Sequence, residues 1–172
     1  FALAPDFTLL FLGEKWMPMV PAIQVLTFAG LIRSVAATAG YVFIAVGKPE
    51  IDTRLQIVRF LVLIVCIFPF ITMWGIVGAS FAVLLSVFIS GIGFGIGAIK
   101  VTQSKVIDFA KAILFPATGV ILIIVSASGI RILMDVGICR FGVCACISVL
   151  EYLVIAYLFD NHFNYGIKSL LT

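Results

Sequence analysis

The chain is 172 residues long, 63% hydrophobic and 11% charged, with a net charge of +3 at pH 7. Soluble domains carry about 25% charge, so this composition leaves too little polar surface to cover a water-facing core and too little charge for a nucleic-acid interface. It reads as an integral membrane protein.

Its apolar runs are continuous and far exceed the ~10-residue alternation of a transmembrane barrel. The expected fold class is an all-α, polytopic transmembrane helix bundle. Residues 1–12 are apolar apart from Asp6 and Thr8. They lack the basic region and small-residue cleavage site of a secretory signal, and read as the end of a preceding helix. Each later run is set against the roughly 20 residues that cross about 30 Å of hydrocarbon. The first span is 19–47, and the second is 55–74, with Arg59 near one end, where a long side chain snorkels to the headgroups. The third, 76–99, has no charge at all. The fourth, 112–130, contains Pro116, which removes a helical hydrogen bond and kinks the helix. The fifth, 141–159, is interrupted only by Glu151. The expectation is therefore five complete spans plus the tail of a sixth.

Within the first span, Arg33 is the only charge and Gln24 the only amide. A charge at the centre of a membrane helix costs roughly 2.5–3.5 kcal/mol on insertion scales, so it usually faces the bundle or a wet cavity. At ~100° per residue, Leu26, Gly30, Arg33, Ala37, Gly40 and Ile44 fall within about 40° of one line, and Ser34 and Tyr41 flank it. Small and polar neighbours suggest a groove that water or a headgroup enters. Arginine suits phosphate because its planar fork donates bidentately and stays charged in a low dielectric. The alternative is an arginine bonded to carbonyls or to a carboxylate of another helix. Glu151, with Tyr152 beside it, has three open roles: pairing with Arg33, proton uptake for ion coupling, or a bond to a hydroxyl.

The third span is rich in small residues. Gly91 and Gly95, then Gly93 and Gly97, form overlapping GxxxG pairs of the kind that lets membrane helices approach closely. Cys139, Cys144 and Cys146 lack CxxC spacing, and with Cys66 they read as small buried hydrophobes. His162 sits in a polar tail. No phosphate-binding loop, nucleophile elbow or metal motif occurs. No catalytic residue, metal ligand or cofactor is assigned, and an enzyme is not expected.

The basic residues alternate between the two ends of these spans. Lys48, Arg54, Arg59, Lys100, Lys105, Lys111 and Lys168 fall on one side, against Lys15, Arg131 and Arg140 on the other. The richer side is cytoplasmic by the positive-inside rule, which puts Trp16 and Trp74 at the same outer interface.

Three segments, APDFTLLFLGEKWMPMVPAIQVL, AATAGYVFIAVGKPEIDTRLQIVRF and WGIVGASFAV, resemble in order and spacing the C-terminal half of polysaccharide transporter proteins. These belong to the multidrug/oligosaccharidyl-lipid/polysaccharide exporter superfamily, with the O-antigen and exopolysaccharide flippases. The likeness covers residues 1–100 well, and the rest by helix number and spacing alone. It implies one lobe of a two-lobed, 12- to 14-helix transporter of the bacterial inner membrane. Such a carrier moves undecaprenyl-diphosphate-linked oligosaccharide by alternating access. Its partners would be that lipid-linked sugar, the bilayer, the missing N-terminal lobe and polysaccharide polymerase machinery. Arg33 is then the candidate for the diphosphate, with Ser34 and Tyr41 lining the cavity. Two other classes stay open: a membrane-embedded polymerase or acyltransferase, which would need catalytic groups on sizeable outer loops, and a non-catalytic helical subunit of a larger complex. The charge count makes one test direct. Glu50→Cys, on a thiol-free background, should escape an impermeant thiol reagent added outside intact cells; rapid labelling there would reverse the orientation.

Overall fold

The computed structural model describes residue 1, residues 3–103 and 119–130, and residues 138–163, of which 140–155 have described side chains. Among these, every element is helical. In chain order they are α1 (Ala4–Phe7), a π-helical turn (Thr8–Leu12), a 3₁₀ stretch (Glu14–Met19), α2 (Val20–Ala45), α3 (Pro49–Thr102), α4 (Gly119–Ile130) and α5 (Ile138–Phe163). The chain divides into two compact units. One is Phe1 with Lys15–Phe109, the other Ala2–Glu14 with Ala110–Thr172.

In the first unit, α2 ends because Gly47 takes φ +74°, a conformation open to glycine at little cost. The Lys48 N–H then donates to the Phe43 carbonyl at 2.8 Å and the Gly47 N–H to Ile44 at 3.0 Å. This is the double closure of a Schellman motif. Pro49 restarts the helix at its first turn, where its missing N–H costs nothing and Glu50 and Asp52 face the positive end of the dipole.

The 54 residues of α3 are not straight. Gly75 leaves helical geometry at φ 58°, ψ −133°, a region essentially closed to residues with a side chain. Along a straight helix, positions 55 and 93 would stand about 57 Å apart. Here a Cβ built on Gly93 would lie 2.5 Å from Leu55 Cδ2, and one on Gly97 would lie 3.6 Å from Ile51 Cγ2. The two halves of α3 are therefore an antiparallel hairpin with its elbow at Gly75. Just past the elbow, Gly78 meets the Phe70 carbonyl so closely that any side chain would overlap it.

Helix α2 packs on this hairpin. The Phe43 and Phe94 rings stack at 5.9 Å with an interplanar angle of 24°. Ala39 and Ala98 complete the buried cluster, and Ala36, Ile51, Leu55 and Val101 pack around it. The glycines of the expected third span make this contact, since a Cβ on Gly91 would lie 2.8 Å from Ile32 Cγ2 and one on Gly97 2.9 Å from Phe43 Cζ.

Five complete spans, and with them the assignment of the chain as one lobe of a two-lobed transporter, are corrected by this structure. Among the described residues, two helical stretches are long and apolar enough to cross a membrane, Glu14–Ala45 and Pro49–Thr102. The expected spans 55–74 and 76–99 both fall within the single element α3. The described part of the expected span 112–130 is α4, whose 12 residues rise about 18 Å, short of a bilayer core. Residues 112–118, Pro116 included, lie outside the described residues. The expected span 141–159 lies in α5, which carries Arg140 and Glu151 on one face. Hydropathy counts apolar runs and does not register how the backbone joins or ends them: two of the expected runs fall in one element, and the described part of another is only 12 residues long.

Filling the α2–α3 contact tests this packing. Phe43 is fully buried and a Cβ on Gly97 already crowds its ring, so Gly97→Leu should overpack the contact and destabilise by about 1–3 kcal/mol. Gly30→Ala, where nothing lies within 4 Å, should be neutral. Thermal unfolding of the two purified variants in detergent checks the contrast.

Candidate functional site

Two sets of polar residues stand on otherwise apolar helices. The first is on α2. Its packed face runs through Ala22, Ala29, Ala36 and Phe43, spaced by seven, and the other face stays open. Leu26, Gly30, Arg33, Ala37 and Ile44 are exposed on that open side, whereas Gly40 is buried, where a Cβ would meet Asp52 Oδ1 at 3.1 Å. Arg33 and Ser34 are exposed and Tyr41 is 74% exposed.

The structure adds two residues to those three. Thr27 and Thr38 fall within about 40° of Ser34 at ~100° per residue, so Thr27, Ser34, Thr38 and Tyr41 make a line of hydroxyls beside Arg33. The spacing of seven, eleven and fourteen is present in the sequence, but hydroxyls so spaced carry no signal until their face of the helix is known to be open. Thr27 Oγ1 donates to the Gln24 carbonyl at 2.6 Å, Ser34 Oγ to Leu31 at 2.8 Å and Thr38 Oγ1 to Ser34 at 3.3 Å. Each hydroxyl thereby satisfies its proton on its own helix and turns an oxygen outward as an acceptor. Beside a guanidinium, this face offers both donors and acceptors to a polar headgroup.

The second set lies in the other unit. Arg140, expected in an outer connection, is instead inside α5 and only 5% exposed. Its Nη2 donates to Asp6 Oδ1, and Asp6 is 2% exposed. A buried ion requires a partner in a low dielectric, so these two charges of opposite sign come together although they stand at distant points of the chain. Thr8, fully buried, donates to the Ala4 carbonyl at 2.8 Å, and the helix then widens into its π turn. The rings of Phe7, Phe11 and Phe141 gather beside the pair, with centroids 5.1, 6.3 and 5.6 Å apart. Asp6 was legible by the rule applied to Arg33, as a charge stranded in an apolar run; no sequence pattern linked it to Arg140.

Glu151 is on the same face of α5 as Arg140. Arg140, Cys144, Ile147 and Glu151 fall within about 60°, and the two charges lie about 16 Å apart along the axis. The Ser126 hydroxyl of α4 lies 2.7 Å from Glu151 Oε2. Of the three roles left open for Glu151, the bond to a hydroxyl is the one observed. An open groove of about 300 Å³ lies beside it, lined by Leu122, Ile147, Leu150, Val154 and Ile155. Cys144 is buried, Cys66 half-buried and Cys146 exposed. Among the described residues, no group of three or more His, Cys, Asp or Glu is placed to hold a metal ion.

No family model and no solved structure matches the chain. Over 84 residues it is 38% identical to an "uncharacterized membrane protein in cps region" of Klebsiella pneumoniae. The match takes in 48% of this chain and 17% of that protein, so the chain spans under a fifth of the length of its relative. That likeness and the two long apolar helices agree: the chain is a membrane protein.

The buried pair gives a measurable expectation. Removing one partner of a buried ion pair costs roughly 3–5 kcal/mol, because the other charge stays behind. Asp6→Asn and Arg140→Gln should each lower the unfolding temperature strongly, and the double variant should lose less than the two losses combined. Melting curves of the four proteins in detergent complete the cycle.

Proposed function

We propose that this chain is part of a membrane carrier that passes lipid-linked oligosaccharide across the bacterial inner membrane during polysaccharide synthesis. The observation that carries this reading is the open face of α2, where Arg33 stands beside the hydroxyls of Thr27, Ser34, Thr38 and Tyr41. A diphosphate-linked sugar needs two kinds of contact while its lipid tail stays in the bilayer. The guanidinium fork donates bidentately to a phosphate, and the hydroxyl oxygens accept from sugar hydroxyls. No bond is made or broken in such a passage, so no catalytic group is required. The relative's name, which places it in a cps region, supports a link to capsular polysaccharide. So does the resemblance of the N-terminal hundred residues to polysaccharide transporters.

In this reading the chain is multi-pass, with the Lys48 connection in the cytoplasm. Deleting the gene should leave lipid-linked repeat units made but stranded on the cytoplasmic face, with polymer missing outside. In the full-length protein, Arg33→Ala should lower surface polysaccharide roughly tenfold or more, given the ~1.5–3 kcal/mol of hydrogen bonds to a charged group. Arg33→Lys, which keeps the charge and loses the fork, should fall between. Single repeat units displayed outside the deletion strain would identify a polymerase instead. Wild-type polymer with Arg33→Ala at normal protein levels would remove Arg33 from the path.

A further inference from the structure

A groove beside the elbow of α3 is lined by Phe70 and Trp74 from the first arm and by Phe81, Leu84, Leu85 and Phe88 from the second. The last four, spaced by threes and fours, share one face of the helix. Trp74 joins the two walls: its ring centroid lies 5.6 Å from that of Phe70 and 6.2 Å from that of Phe81. The groove therefore exists only while Gly75 keeps the arms folded together.

Its lining, size and depth decide what fits there. Helices approach one another in lipid at small residues, as Gly91, Gly93 and Gly97 do when they receive Ile32, Leu55 and Phe43. None of the six lining residues is small, and six fall far short of the roughly 20–30 residues a side of a stable protein interface. A methylene is close in size to a water molecule, whose liquid volume is about 30 Å³, so the groove's 500 Å³ admits on the order of 15–20 carbons. Each arm of α3, about 26 residues long, rises about 39 Å and outspans the ~30 Å hydrocarbon core. With Lys48 and Lys100 at the open end of the hairpin, the elbow reaches the opposite interface, where tryptophan is enriched. From Gly75 to Phe88 the second arm runs about 20 Å inward, close to the ~15 Å depth of one leaflet.

We propose that this groove is a phospholipid site. One acyl chain of a lipid in the leaflet beside the elbow lies along Phe70, Phe81, Leu84, Leu85 and Phe88, with Trp74 at its headgroup end. Because the walls come from both arms, a bound chain favours the folded hairpin over any more open form. The site shares no residue with the Arg33 face and stands whether or not the protein carries a sugar.

A photoactivatable lipid tests it. The full-length protein, purified in detergent, is mixed with phosphatidylglycerol bearing a diazirine on one acyl chain and irradiated, and adducts are located by peptide mass spectrometry. Adducts at the six lining residues should exceed severalfold those at Val65 and Phe68, which are 71% and 75% exposed on the first arm outside the groove. Excess unlabelled phosphatidylglycerol should suppress the groove adducts. Leu85→Trp, which fills the groove, and Phe88→Ala, which removes a wall, should each bring them down to the level at Val65 and Phe68. Ile92→Trp, exposed on the same arm outside the groove, should leave them unchanged. A p-benzoylphenylalanine placed at Phe88 should capture lipid. Groove adducts no higher than those at Val65 and Phe68, or indifferent to both Leu85→Trp and Phe88→Ala, would overturn the proposal. A peptide captured at Phe88, from the same protein or a second copy, would assign the groove to a helix and overturn it equally. None of these readouts involves polysaccharide, so failure here and failure of the deletion phenotype are separate results.

Discussion

Hydrocarbon has no water to satisfy a polar group, and the arrangement of this chain is a response to that constraint. Backbone amides and carbonyls close on themselves, which is why every described element is a helix. Side-chain hydroxyls obey the same rule on a shorter scale. Ser80, Ser86 and Ser90 each donate to the carbonyl three residues back, at 2.6, 2.8 and 3.1 Å, and Thr102 to the carbonyl four back at 2.8 Å. Buried charge obeys it over longer range, through Asp6 and Arg140.

The same constraint decides how helices meet. Apolar side chains gain nothing from leaving lipid for a neighbour, so close approach rests on packing at small residues. Gly91, Gly93 and Gly97 receive Ile32, Leu55 and Phe43, and it is their lack of a Cβ that brings α2 and the first half of α3 against the same surface. This part was legible in advance, because a small-residue spacing marks the face of a helix that admits close approach, whichever helix comes to meet it. The all-helical class was legible for a similar reason, since continuous apolar runs leave the backbone no other way to satisfy itself.

Counting spans was less secure. The break between residues 74 and 76 has the sequence character of a connection, while the structure carries helix on both sides of a single non-helical residue. Hydropathy marks where a chain avoids water, and says nothing of where its backbone turns. The polar residues divide the same way. Arg33, Ser34, Tyr41 and Glu151 were visible as exceptions within apolar runs. Ser126 was not, because a serine among small residues carries no signal until a carboxylate is seen beside it. Arg140 was misassigned because a charge near the end of an apolar run reads as a loop residue. Only tertiary pairing with Asp6 shows it to be interior.

The elbow at Gly75 has a consequence for everything joined to α3. Because Ile51 meets Gly97 and Leu55 meets Gly93, the two termini of this element lie together at one end of the hairpin. Lys48 and Lys100 therefore flank the same opening. Straightened, the element would hold its ends about 80 Å apart, more than twice the thickness of a bilayer's hydrocarbon. One achiral residue thus acts as a fulcrum for parity: the chain enters α3 and leaves it at the same end of the hairpin.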